Sequence, residues 1–336
     1  MWGTIHEACG ASWKDRLVTS TDISVVLCTY NGEKYLPELL DSLLEQTLLP
    51  SELVWRDDRS TDATPQIAAA FAERAPFPVN FAVNPDNLGP MQNFGHAMSH
   101  ATGALIAPSD QDDVWLPNKL ELLARHFEGD DTRMVYSDSL LVDSKLESLG
   151  QTFLEQRRLF HADKDSLEHL LFQNTVSGCV SLFDAKLLQI ALPIPERAIM
   201  HDWWITLVAA AMGDVRHIPE TTTLYRQHEG NVLGSPDRLS LSSLSESGLP
   251  FGAWRKAGDA FARSANQAIA LRQRLDETNS ATPAVLGELT SGLAGSRSDV
   301  WKLCRRAGIQ RGELMRNLYF KLGLLAYRPA DLIRDE

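Results

Sequence analysis

Cysteine is scarce: four residues in 336, Cys9, Cys28, Cys179 and Cys304, none in a CxxC pair or another ligand-like spacing. A zinc site and a disulfide framework are therefore not indicated, and a reducing, cytoplasmic setting is expected. Positive charge is also short, with 32 Lys and Arg against 44 Asp and Glu for a net charge of -12. That balance excludes a broad nucleic-acid footprint, which needs clustered cations over one face. Long apolar runs are missing. Nothing uncharged is long enough to span a bilayer, and the first twenty residues hold Glu7, Lys14, Asp15 and Arg16 without a sustained apolar core. No secretory signal is expected, and the protein should be soluble or attached peripherally at the inner face of the cytoplasmic membrane. No fixed-period internal repeat is present.

What is there is the make-up of a folded chain, 44% hydrophobic and 23% charged. Ile23 to Cys28 reads as a buried strand, followed by the turn Thr29-Tyr30-Asn31-Gly32. Leu36, Leu39, Leu40, Leu43 and Leu44 then share a helical face, with Pro37 in the first turn, where its missing N–H costs little. The unit recurs. A strand at Glu52 to Arg56 leads through Asp57 to Asp62 into a helix through Ile67 and Phe71. A strand at Val79 to Val83 leads through Asn84 to Gly89 into a helix lined by Met91, Phe94 and Met98. A strand at Ala104 to Ala107 leads through Ser109-Asp110-Gln111-Asp112-Asp113 into a helix carrying Leu116, Leu120, Leu123 and Phe127. Such alternation implies an α/β fold with a mainly parallel sheet and helices on both faces, whose ligands bind beyond the carboxyl ends of the strands. Further on, a helix at Leu167 to Phe172, a strand at Gly178 to Phe183, a helix at Asp202 to Met212 and a strand at Thr221 to Tyr225 are expected. The division is then an extension at 1–21, an α/β domain at 22–233, a linker at 234–252 and a helical region at 253–336.

Polar residues gather at the strand ends: Thr29, Tyr30 and Asn31, then Asp57 and Asp58, Asn87, and Asp110, Asp112 and Asp113. Close carboxylates resist joint ionisation, so a divalent cation would hold them together. In an extended segment Asp110 and Asp112 point the same way, and oxygen ligands of this kind suit Mg²⁺ or Mn²⁺, which would neutralise a diphosphate leaving group. On these residues alone, an acidic loop capping a helix that begins near Trp115 or Leu116 is an equal reading.

Four segments in order resemble the large inverting family-2 glycosyltransferases of the GT-A fold. They are Val25 to Gly32, Asp57-Asp58-Arg59-Ser60-Thr61-Asp62, Asn87-Leu88-Gly89 with Asn93, and Ser109 to Trp115; the resemblance covers about residues 22 to 232. It implies that Thr29, Tyr30 and Asp57 contact the base and ribose, with Asn31, Asp58, Asn87, Asn93, Asp110 and Gln111 completing the nucleotide-sugar site. Asp110 and Asp112 form the Asp-x-Asp element, with Asp112 the direct metal ligand. Packing for Tyr30, and helix capping for Asp58 and Asp62, are the plainer alternatives. Arg59 stands where the family usually has Gly, which puts the local turn shape in question.

The same resemblance makes Asp202, in His201-Asp202-Trp203-Trp204, the base that takes the acceptor proton; an N-cap role is compatible with it. Trp203 and Trp204 serve as a sugar wall or as core. In Tyr225-Arg226-Gln227-His228, His228 is an additional metal ligand or a structural histidine, and Arg226 offers a planar fork for the diphosphate. Gly178 either permits close approach near the donor sugar or marks a turn. The motifs Gln111 to Trp115, His201 to Trp204 and Tyr225 to His228 resemble the bacterial subgroup assigned as rhamnosyltransferases, acting in cell-surface polysaccharide or O-antigen assembly. The resemblance thus implies dTDP-β-L-rhamnose as donor and a glycan or lipid-linked acceptor. A UDP- or GDP-sugar donor and a non-catalytic sugar-binding module are the alternatives; the latter should lack the carboxylates that are present. A nucleotidyltransferase would show a Gly-rich basic loop after the first strand, and Thr29 to Glu33 has none. At the C-terminal end, Leu314, Leu318, Phe320, Leu322, Leu324 and Leu325 lie among cations, as in a helix on an anionic leaflet or one packed on the catalytic domain.

Overall fold

A computed structural model describes residues 22–127, 131–159, 164–228, 250–294, 296–306, 314–327 and 332. The extension at 1–21, with Cys9, and the linker as far as residue 249 lie outside the described residues.

The first half alternates as its periodicity implies. Strand β1 (Ile23–Thr29), helix α1 (Leu36–Leu44), β2 (Glu52–Asp57), α2 (Thr64–Arg74), β3 (Val79–Val83), α3 (Gly89–Met98) and β4 (Leu105–Ser109) follow in order. A short β5 (Val114–Trp115) precedes α4 (Lys119–Arg125) and the long β6 (Thr132–Val142). Then come β7 (Ser148–Thr152), α5 (Phe153–Arg157), β8 (Lys164–Asp165), α6 (Leu167–Leu170), β9 (Ser181–Asp184), α7 (Leu188–Ala191), α8 (His201–Met212) and β10 (Asp214–Arg226). Among the described residues, four helices follow: α9 (Pro250–Glu277), α10 (Ala284–Ala294), α11 (Arg297–Arg306) and α12 (Leu314–Ala326). Residues 250–252, expected in the linker, thus begin α9.

The sheet runs β3-β2-β1-β4-β9-β6-β10-β5, with β7 on β6 and β8 on β10. From β3 to β4 every pair is parallel. Beyond β4 the sheet is mixed, because β9 enters antiparallel between β4 and β6 while β10 runs parallel to β6.

Side-chain alternation explains why helices cover both faces. Ile23, Val25 and Leu27 of β1, Leu53 and Trp55 of β2, and Leu105 and Ala107 of β4 join one buried cluster with α1, α2 and α4. Val26, Val54 and Ile106, one residue out of phase, join the other with α3 and α8. That second cluster continues into the C-terminal helices. Phe261 of α9 stacks on Phe172 with ring centroids 5.2 Å apart and meets Phe320 of α12 at 5.8 Å. Among the apolar residues of the C-terminal segment, Phe320 and Leu324 are therefore core, whereas Leu318 and Leu325 face outward.

Candidate active site

The loops after β1 and β2 are laced together at the carboxyl edge of the sheet. The β1–β2 register sets Thr29 opposite Asp57. Thr29 Oγ1 donates to Asp57 Oδ1 at 2.7 Å and accepts from Trp55 Nε1 at 2.9 Å. Ser60 adds its backbone N–H at 2.8 Å and its hydroxyl at 2.6 Å to the same carboxylate. Both Thr29 and Asp57 are buried. With its oxygens engaged by Thr29 and Ser60, Asp57 shapes the loop from beneath. Asp62 is not the N-cap of α2, which is Ala63. It stands one residue earlier, accepting from the N–H of Thr64 and of Glu33, each at 3.0 Å.

Asp58 is likewise turned inward. Its carboxylate accepts from Asn84 Nδ2 at 2.9 Å and from the N–H groups of Leu88 and Gly89 at 2.8 Å each. Asn93, also buried, accepts from Asn84 Nδ2 at 2.8 Å and donates to the Arg56 carbonyl at 3.2 Å. These two residues hold the start of α3. Arg59 has φ 69°, the left-handed conformation in which glycine is least strained, and its side chain reaches Asp86 at 3.7 Å. The turn expected for Gly is therefore kept with Arg in its place.

What remains open to a ligand is the layer above. Tyr30 is 51% exposed, and Asn31 and Asn87 are exposed. Gln111 bridges the Tyr30 backbone in both directions, accepting from its N–H at 2.8 Å and donating to its carbonyl at 3.2 Å. A Cβ at residue 32 would lie 2.6 Å from Gln111 Oε1, so Gly32 is what lets that bridge close.

The acidic motif is a turn, not an extended segment, and it leads into β5 rather than a helix, because Val114 and Trp115 pair with Leu224 and Thr223 of β10. The N-cap of α4 is Asn118. Asp112 Oδ2 meets His228 Nε2 at 2.8 Å. Neighbouring ligands of an octahedral ion with bonds near 2.1 Å lie about 3 Å apart, so this carboxylate–imidazole pair fits a divalent cation. Asp110 is pushed up to about 7, first by burial and then by the charges of Asp112 and Asp202, against the pull of Lys119. Asp113 is buried, accepts from the Arg226 N–H at 3.2 Å, and is raised well above the usual range by burial and by Asp112. Ligand atoms of Asp110, Asp113 and Cys179 lie within 4.8 Å of one another. Lys119 lies within their reach: its Nζ donates to the Cys179 carbonyl, sits 3.4 Å from the Trp115 ring centroid, and is brought down to about 7 by burial.

Arg226 is turned into the protein in this structure. It is fully buried, its guanidinium paired with Glu38 and donating to the carbonyls of Asp112 and Ser144 at 2.9 Å each, over the ring of Tyr35. The fork expected to grip the ligand grips the acidic loop.

Asp202 lies in the first turn of α8, whose N-cap is Met200. Its Oδ1 accepts from the Trp203 N–H at 2.6 Å. Burial lifts it to about 6, opposed by donation from Trp203, from the N–H of Gly178 and from the side chain of Asn174. A Cβ on Gly178 would come within 3.4 Å of Asp202 Cβ and 3.3 Å of His201 Nε2, so Gly178 permits this approach. His201 stacks on Phe94 at 3.9 Å and is kept neutral, its pKa lowered to about 3 by burial. Trp203 and Trp204 are buried, their indole N–H groups donating to the carbonyls of Leu170 at 2.7 Å and Ala191 at 2.8 Å.

Residues 24–187 match the family described as Glycosyl transferase family 2. Just under half of the chain is thus similar to that family. An uncharacterised protein of Mycobacterium tuberculosis is 30% identical to this chain over 220 residues, 62% of this chain and 60% of that protein. An uncharacterised glycosyltransferase of Nostoc is 27% identical over 216 residues, 62% of this chain and 66% of that protein. The chain thus spans less than two thirds of the length of these relatives. Among solved structures, S. aureus TarS 1-349 in complex with UDP-GlcNAc superposes with a TM-score of 0.53 at 19% identity, covering 86% of this chain and 93% of that one. At that identity the likeness shows a shared GT-A fold. No helix among the described residues is long and apolar enough to cross a membrane.

Within the matched segment, two residues near these carboxylates carry no motif of their own. Asn174 lies in a polar loop with no motif around it. Lys119 left a signal: it sits at i+3 from Leu116, inside the apolar stripe that Leu120 and Leu123 continue, where a charge has to be buried.

Proposed function

We propose that this chain transfers a sugar from a nucleoside diphosphate to an acceptor hydroxyl with inversion, and that Asp202 is the base. The observation that carries the reading is the gathering of three carboxylates from two distant segments: the charges of Asp112, in the same loop, and of Asp202, at the start of α8, both act on Asp110, beside the Asp112–His228 pair at 2.8 Å. Asp202 takes the acceptor proton as that oxygen attacks the anomeric carbon. The bond from this carbon to the diphosphate oxygen breaks, and the nucleoside diphosphate departs. Asp112, His228 and Asp110 would hold Mn²⁺ or Mg²⁺, which supplies positive charge for the leaving group. Tyr30 and Asn31 offer the nucleotide an open edge, with Gln111 fixing the loop they stand on.

dTDP-β-L-rhamnose is the donor we put first, on the resemblance carried by Gln111 to Trp115, His201 to Trp204 and Tyr225 to His228, with an acceptor in bacterial surface polysaccharide or O-antigen. A uridine donor is second, because the superposing TarS structure holds UDP-GlcNAc. Calorimetry of dTDP, UDP and GDP binding, each with Mn²⁺ or EDTA, tests both donor and metal. Metal-dependent binding of dTDP supports the full reading, and preference for UDP or GDP removes rhamnose. Binding unaffected by metal in wild type and Asp112→Ala alike would sink the metal assignment.

A further inference from the structure

Among the described residues, large apolar side chains left in water are few, and half of them lie on the C-terminal helices. Among the described residues, Trp254, Trp301, Leu318 and Leu325 are four of the eight exposed large hydrophobics. Three belong to one surface. On α11, Arg297, Trp301 and Arg305 are spaced i, i+4, i+8 and form a single outward stripe, while Val300, Leu303 and Cys304 face the core. On α12, Leu318, Lys321 and Leu325 form the matching exposed stripe, opposite buried Phe320 and Leu324. The two stripes adjoin, since the Arg297 guanidinium donates to the Leu325 carbonyl at 3.1 Å. Charge on these helices runs against the chain as a whole. The two segments contain six Lys or Arg and one acid, Asp299, in a protein of net charge -12. Asp299 and Glu288 engage Lys302 and Arg306 at the margin.

We infer that the α11–α12 face docks on an anionic bilayer surface, inserting Trp301, Leu318 and Leu325 among the headgroups while Arg297, Arg305 and Lys321 meet lipid phosphates. The chemistry favours this occupant over a second copy of the chain. Apolar side chains separated by cations make a poor core for a stable dimer, which buries about 800 Å² on each partner. A bilayer takes single inserted side chains without shape complementarity, and aromatic and basic residues suit its interface. The inference stands apart from the catalytic reading and does not rest on it.

The test is co-sedimentation of the full chain with vesicles of phosphatidylcholine alone or mixed with phosphatidylglycerol, at low and high salt. Binding only to the anionic vesicles, weakened by salt, is expected. Arg305→Glu with Lys321→Glu should reduce the partition coefficient about thirtyfold or more, at about fivefold per lost cation. Trp301→Ser with Leu318→Ser should also release the protein, and all four positions are exposed, so thermal melts should match wild type. Equal binding to neutral and anionic vesicles, or no change in either variant, would overturn the proposal. So would self-association that Trp301→Ser abolishes without any vesicle binding.

Discussion

Replacing Asp202 by Asn separates catalysis from binding more cleanly than any other single change. The two side chains are nearly isosteric, and Asn keeps a carbonyl oxygen for the Trp203 N–H that Asp202 now accepts at 2.6 Å. What disappears is the capacity to take a proton. Loss of a general base costs about 10²–10⁴ in rate, or roughly 3–5 kcal/mol of transition-state stabilisation. In the proposed reading the donor is held elsewhere, by the Tyr30 loop and the Asp112–His228 pair, so its affinity should change by less than about twofold. Because burial raises Asp202 to about 6, wild-type kcat should climb as pH rises through that value and level off above it. Single-turnover transfer from a radiolabelled donor, followed from pH 5 to 8, measures both effects. The variant should lose the acid limb together with its rate. Unchanged turnover, or a loss that follows donor affinity instead of kcat, refutes the assignment.

Three further outcomes are expected. Asn174→Ala removes a donor that lowers the Asp202 pKa, so the acid limb should move up by about half a unit to one unit with donor KM unaltered; an unmoved profile would remove Asn174 from a positioning role. Native Asp110 keeps its proton between the ordinary 3.8 and about 7, where the unfolded chain has released it, so stability falls as pH rises through that window. Metal-free Asp110→Asn should therefore outlast wild type in thermal melts by a margin that widens from pH 4 to 7, at about 1.4 kcal/mol per unit, and is constant above; a margin independent of pH contradicts the coupling. Phe261→Ala opens the cluster formed with Phe172, Phe320 and Tyr327, and urea unfolding should show about 3–5 kcal/mol lost. A loss under about 1 kcal/mol would mean that α9 is not part of the central core.

Local periodicity was enough for the parallel half of the sheet. Val79 to Val83 is the strand read from the residues, and α8 begins one residue before the expected Asp202. Where long-range pairing decides, local periodicity carries less information. Thirteen-residue β10 was legible only at Thr221 to Tyr225, because its register shifts between His217 and Thr221 and breaks the alternation. Trp115 looked like the start of a helix because its partner, Thr223 on β10, is far away in the chain. The site divides the same way. Residue types at the strand ends announce polar chemistry, but whether a carboxylate faces a ligand depends on neighbours that composition hides. Ser60 and Thr29 turn Asp57 inward, Asn84 and the Leu88 and Gly89 N–H groups do so for Asp58, and Glu38 draws Arg226 away from the opening. His228 is the opposite case, brought onto Asp112 across 116 residues.

The measurement that bears most directly on the central claim is release of nucleoside diphosphate from a panel of dTDP-, UDP- and GDP-sugars, with wild type and Asp202→Asn compared in Mn²⁺. Wild type should release the nucleotide donor-specifically, and Asp202→Asn should reduce that release by about 10²–10⁴. Release at equal rates from both proteins, or from no donor while one of the nucleotides binds tightly, would contradict it.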